Sequence, residues 1–172
     1  MTPGPHDGFE IDEISDGDVE AVVALWRSCD LTRPWNDPHR DIVDARSTPT
    51  ATILVARPAV GSERAVEPER GADEAGGSAG VSGADEGAVP VGSVMAGFDG
   101  HRGWLYYLAV DASVRGTGIG RRLVVAAEAW LAAQGAGKVQ LMVRETNAGV
   151  QGFYTALGYT DAECVVLGRR LP

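Results

Sequence analysis

The chain has 172 residues, so one domain is expected, and its 44% apolar content is ordinary for a folded protein. Four Trp, four Tyr and three Phe among regularly spaced aliphatics exclude a wholly disordered chain. Fifteen basic residues against 24 acidic ones give a net charge of −9, which disfavours nucleic-acid binding.

The opening MTPGPHDG lacks the basic and apolar segments of a secretory signal, and these eight residues are expected to be disordered. No apolar run approaches the ~20 residues of a membrane span. A cytoplasmic monomer or homodimer without membrane contact is therefore expected. Phe9 to Glu13 alternates like a half-buried strand. Ser15 and Asp16 then precede a helix with Val19, Val22, Val23 and Trp26 on one face, and Asn36 and Asp37 before Pro38 open a short second helix ending near Thr48 and Pro49. Thr50 to Arg57 and Val91 to Phe98 read as strands.

Between them, Pro58 to Val89 holds seven Gly, seven Ala, seven acidic residues and no aromatic. Such a stretch cannot bury enough apolar surface to offset its ordering entropy, so a disordered insert is expected. Asp99 and Gly100 turn into a third strand, Gly103 to Val110. Ile119, Leu123, Ala127, Trp130, Leu131 and Gln134 mark a helix of about four turns that Gly135 stops. A strand from Lys138 to Val143, a helix from Ala148 to Leu157 between Asn147 and Gly158, and a last strand from Cys164 to Leu171 complete the order. The class is α/β, antiparallel first and then a βαβ crossover. Cys29 and Cys164, with no second Cys or His at ligand spacing, read as small buried hydrophobes, and no metal is expected.

The chemistry concentrates in RGTGIG, Arg115 to Gly120, between a strand and a long helix. Glycines expose consecutive N–H groups and the helix adds its positive end, so the element suits a pyrophosphate. Arg115, Arg121 and Arg122 add cationic charge against the sign of the whole chain. The alternative is that the glycines simply make a tight strand-to-helix connection. A Walker loop fails, because Arg121 and Arg122 stand where Lys and Ser or Thr are needed. A dinucleotide fingerprint has the wrong spacing and remains a minor alternative.

Val110 and Asp111, then RGTGIG and an amphipathic helix, resemble motif A of the GNAT superfamily of N-acetyltransferases, with Arg115, Gly118 and Gly120 in its pattern positions. NAGVQGFYTALGY, Asn147 to Tyr159, resembles that family's motif B. CDLTRPWNDP, Cys29 to Pro38, looks like a bacterial subgroup of uncharacterised acetyltransferases. The resemblance implies a GNAT-like mixed, mostly antiparallel central sheet with a splayed parallel strand pair and four helices. It also implies direct transfer from acetyl-CoA to an amine of a small molecule or protein. Leu108, Ala109 and Val110 would pair with the pantetheine arm, and Arg115, Gly116, Thr117, Gly118, Ile119, Gly120 and Arg121 would hold the pyrophosphate. Asn147 would contact the cofactor, cap the last helix, or do both. Tyr154 would be the general acid at the departing sulfur, with Phe153 in the core.

No carboxylate lies on WLYYLAV, Trp104 to Val110, where many relatives carry a base, so Asp99, His101 and Glu145 become candidates. Substrate contact is expected from Arg33, Trp35 and Asn36, and from Tyr106, since Tyr106 and Tyr107 should point to opposite faces of their strand. A catalytically weak acyl-CoA-binding or regulatory domain is the alternative that the missing base suggests.

Overall fold

The computed structural model describes residues 8–59 and 88–169. Apart from Gly8, Pro58, Ala59, Ala88 and Val89, the expected disordered N-terminus and insert lie outside the described residues. The elements are β1 (Phe9–Glu13), α1 (Val19–Ser28), α2 (Pro38–Ser47), β2 (Ala51–Pro58), β3 (Gly92–Phe98), β4 (Gly103–Val110), α3 (Ile119–Ala133), β5 (Val139–Leu141) and α4 (Ala148–Thr155). They fall into two compact units, Met1–Gln140 and Leu141–Pro172.

The strands order as β1-β2-β3-β4-β5, antiparallel through β4, with β5 parallel to β4. The mixed α/β class expected from the sequence is therefore the observed one. β2 reads as a nearly continuous apolar run because both its faces are covered, and Thr52 to Ala56 are five consecutive buried residues before the strand opens toward solvent at Arg57. On one face α3 buries Ile119, Leu123, Val124, Ala127 and Leu131. It seats closely: a Cβ at Gly92 would lie 2.9 Å from a Leu123 methyl, and one at Gly103 2.8 Å from a Leu131 methyl. On the other face α1 and α2 pack Val22, Val23, Leu25, Trp26, Ile42 and Ala45 against Ile53, Val55 and Ala109. Trp26 is fully buried, and its indole N–H donates to Ser93 Oγ at 2.9 Å, so its one polar atom is satisfied. Among the described residues no helix is long and apolar enough to cross a membrane.

Four expectations are corrected. Where α1 was to begin directly after Ser15 and Asp16, a 3₁₀ turn at Asp16–Asp18 intervenes, because Asp18 reaches back to the Ser15 amide and hydroxyl at 2.7 and 2.5 Å. β5 is three residues rather than the six of Lys138 to Val143. The last strand, Cys164 to Leu171, does not form over its described residues 164–169. Val165 and Leu167 are 86% and 90% exposed, and an apolar run becomes a strand only where a neighbour completes its ladder. Finally, the cysteines are free but not buried: Cys29 is half-buried and Cys164 exposed.

Asp18 is the charged residue that ties this scaffold together. It is 7% exposed and paired with Arg57 of β2, while Arg57 also lies 3.8 Å from Asp12. Burial raises its carboxyl pKa, but the Ser15 hydrogen bonds and the Arg57 charge outweigh that and hold it below 3.8. A carboxyl lowered by folding stabilises above its ordinary pKa, and that contribution fades as pH falls toward the lowered value. Asp18→Asn should cost about 1–3 kcal/mol at pH 7 in urea unfolding, with the gap to the parent narrowing by pH 3. A gap independent of pH would remove the carboxylate charge as its source.

Candidate functional site

The RGTGIG loop leaves β4 through a 3₁₀ turn, Ala112–Val114, that Asp111 caps by accepting from the Ser113 amide. Gly116 and Gly118 have φ of 80° and 89°, and Gly118 is the N-cap of the 15-residue α3. The first-turn amides of such a helix have no intrahelical partner. A Cβ at either glycine would meet nothing within 4 Å, so the loop is a cradle open to solvent. Around it stand exposed Arg115, exposed Arg121 and half-buried Arg122, the last also donating to the Phe9 carbonyl at 2.8 Å. Thr117 closes the turn from within, its hydroxyl donating to the Val114 carbonyl at 2.7 Å. Ile119 is buried under α3 and Gly120 continues its first turn. The donor set fits a diphosphate: open amides, a helix N-terminus and three guanidinium groups.

Leu108, Ala109 and Val110 precede this loop. Ala109 and Val110 pair with Ser93 and Gly92 of β3, and the Val110 carbonyl accepts Arg115 Nε at 3.1 Å and contacts Cys29 Sγ at 3.6 Å. That carbonyl, expected to face the pantetheine arm, is thus occupied by a side chain from the loop.

Just upstream, β4 holds a bulge. Ser93 pairs with Ala109 and Met95 with Tyr106, so one residue of β4 is surplus, and Tyr107 has φ of 49°. The expected alternation of Tyr106 and Tyr107 fails for this reason. The Tyr107 ring stacks on Trp26 of α1, with centroids 4.1 Å apart and planes 8° from parallel. Tyr106 borders an open hollow with Thr48 and Thr50 beyond the end of α2, so both tyrosines meet the α1–α2 side. Tyr107 donates its hydroxyl to Asp41 Oδ2 at 2.6 Å and accepts from Asn36 Nδ2 at 3.3 Å. Burial and the Asp41 carboxylate raise the phenol pKa, so it stays protonated. Sequence reading did not select Tyr107 or Asp41.

The other selected residues are placed as follows. Arg33 turns inward on its own loop, donating to Asp30 Oδ1 at 3.0 Å and to the Asp30 and Thr32 carbonyls at 2.9 and 2.8 Å. Trp35 does not seal the core, being 61% exposed, and Asp37 rather than Asn36 caps α2. Asp99 accepts from the Arg102 amide, Trp104 Nε1 and the His101 amide at 2.6, 2.8 and 2.7 Å, which lowers its pKa to about 2. A carboxylate so held is a poor proton acceptor. His101 and Glu145 are exposed. In the smaller unit, Asn147 caps α4 by accepting from the Val150 amide at 3.3 Å. Tyr154 is 7% exposed, edge-on to Phe153 and Tyr159, and burial pushes its pKa up to about 12. Phe153, expected in the core, is only half-buried.

Comparison with known proteins supplies the context. The model of the acetyltransferase (GNAT) family matches residues 26–159. An acetyltransferase of Pectobacterium atrosepticum is 40% identical over 163 residues, 95% of this chain and 96% of that one. An uncharacterized N-acetyltransferase of Yersinia pestis is 38% identical over the same length and shares. Among solved structures, the aminoglycoside N-acetyltransferase AAC(6')-Iy in complex with CoA superposes with a TM-score of 0.69 at 16% identity, covering 99% of this chain and 98% of that one. At that identity the likeness is one of fold.

Gly118 gives the loop a direct test. Its requirement is conformational, since the space beside it is open and its φ is left-handed. Gly118→Val should lose about 1–2 kcal/mol in chemical denaturation. Full retention of stability would show that the turn takes a side chain without strain.

Proposed function

The chain belongs to the acetyltransferase (GNAT) family, and from that premise we propose that it moves an acetyl group from acetyl-CoA directly to an amine of a small molecule or a protein. The observation that carries the reading is the open cradle at Gly116 and Gly118, at the head of α3 and flanked by Arg115, Arg121 and Arg122. Those amides and guanidinium groups would hold the diphosphate, and the strand segment Leu108 to Val110 would carry the pantetheine arm beside the bulge. When bound, acetyl-CoA supplies a thioester carbonyl open to attack by an amine.

An amine of pKa ~10.4 must shed a proton before or during attack. Tyr107 and Asp41 offer the route: the phenol takes the proton as it passes its own to the carboxylate 2.6 Å away. Asp41 thus supplies from α2 the carboxylate that β4 lacks, which favours turnover over a binding-only domain. Arg33, Trp35, Asn36 and Tyr106 would frame the acceptor.

Tyr154 would act on the sulfur. Its pKa of about 12 against ~8.5 for a thiol puts full proton transfer uphill by ~5 kcal/mol, so it would donate a hydrogen bond rather than release its proton. Asn147 would steady the start of α4 near the arm.

Thiol release with acetyl-CoA across amines, polyamines, amino acids and peptide N-termini tests the activity, and no release with any acceptor would overturn it. Tyr154→Phe should lower kcat by 10-fold or more while the acetyl-CoA Kd holds; unchanged kcat would remove Tyr154 from the reaction. Asp41→Asn should move the rise of kcat/KM to higher pH, toward the pKa of the free amine, because deprotonation then falls to solvent. An unshifted profile would leave Asp41 as a structural partner of Tyr107.

A further inference from the structure

Beside the bulge, toward the β3–β4 turn, lies an open hollow of about 180 Å³ whose wall includes Phe98, Trp104 and Tyr106, with Thr48, Thr50 and Asp99 at its border. Three aromatic residues and one acidic residue line it, and among the described residues no Lys, Arg or His does. Asp99 is fixed rather than floppy: its Oδ1 accepts from the His101 and Arg102 amides, and its Oδ2 accepts from the Trp104 indole, which fixes that ring too. A carboxylate oxygen has two lone-pair sites, so Oδ2 retains one for a further donor. Aromatic faces attract a cation, and a fixed carboxylate beside them adds the opposite charge.

We propose that this hollow binds a primary alkylammonium group of the acceptor, other than the amine that is acetylated. The inference rests on the acetyl-transfer reading for the place of the second amine. Strand residues advance ~3.3 Å each. The hollow spans Trp104 to Tyr106 and the pantetheine segment begins at Leu108, so the two nitrogens would stand ~7–13 Å apart. The acceptor is then a long diamine or polyamine, or a peptide presenting a lysine at that remove from its reacting amine. The aromatic walls receive the methylenes, and Asp99 and the ring faces receive the charged end.

The test needs no turnover. The chain has four Trp, so the indole N–H resonance of Trp104 is identified as the one lost in Trp104→Phe. The parent is titrated with n-butylammonium chloride, with 1-butanol as the neutral isostere and sodium chloride as the salt control. The Trp104 resonance should move with the ammonium in a saturable way and with at least fivefold higher affinity than with the alcohol. Tyr106→Leu should weaken that binding about three- to fivefold, and Asp99→Asn about tenfold. Tyr106 is 39% exposed, so the leucine variant keeps the test alive should the turn at Asp99 tolerate no change.

A stationary resonance, or an equal response to alcohol and salt, overturns the proposal. So does unchanged affinity in Tyr106→Leu. 1,8-Diaminooctane and an N-acetylated Gly-Lys-Gly peptide then separate free polyamine from lysine side chain, by which of them displaces n-butylammonium; displacement by neither overturns the proposal. The two readings fail separately. A moving indole without thiol release defeats acetyl transfer and leaves the ammonium site standing, whereas thiol release with a stationary indole does the reverse.

Discussion

β4 carries one residue more than β3 can match between the Ser93–Ala109 and Met95–Tyr106 pairs, and the α1–α2 face of the sheet takes its chemistry from that surplus. With strict alternation Tyr107 would point at the α3 side, among Leu123, Val124 and Leu131, where a phenol would lack partners. The bulge turns it to Trp26 and Asp41 instead. A non-glycine residue with φ of 49° costs about 1–2 kcal/mol, and the indole stack and the carboxylate hold it there. Tyr106, the last residue in register before the surplus, faces that side too, so two adjacent tyrosines lie on one face.

The sheet's two faces contribute differently and meet at Val110. The head of α3 gives the glycine cradle on one side; on the other, β4 gives the Tyr107 phenol, α2 the Asp41 carboxylate, and the α1–α2 connection the loop from Asp30 to Asp37. The Val110 carbonyl receives Arg115 from the cradle and lies against Cys29 at the end of α1. Arg115 Nη2 is itself 3.6 Å from Cys29 Sγ. The half-exposed thiol is therefore a joint between the loop and the first helix, which explains why it is not sunk in the core.

Apolar rhythm placed β1 and α3, and turn or cap residues placed β4 and the starts of α2 and α4, each to within a residue or two, because these signals are local. The glycine loop was legible because its spacing is local. What depends on distant partners was not. Cys164 to Leu171 has strand composition, yet a ladder needs a second strand that its own residues do not specify. Arg33 looked like a free cation, but three acceptors lie within its own turn. Asp41 was not selected, because nothing local distinguishes this first-turn carboxylate of a polar helix; its contact with Tyr107 spans 66 residues of sequence and passes through a bulge that no turn residue announces.

β2 and β3 are bound together at the point where the chain departs between them: Ala56 pairs with Gly92, and the Ala56 carbonyl accepts the Val91 amide at 2.8 Å. The departing and returning ends are thereby pinned side by side whatever length of chain joins them. Closing such a gap costs only ~0.6 kcal/mol for each doubling of that length. Evolution can therefore lengthen or shorten this junction at little cost, while its returning end stays fixed to the strand that leads into the glycine loop, where Gly92 pairs with Val110 and the Val91 carbonyl accepts the Asp111 amide at 2.8 Å.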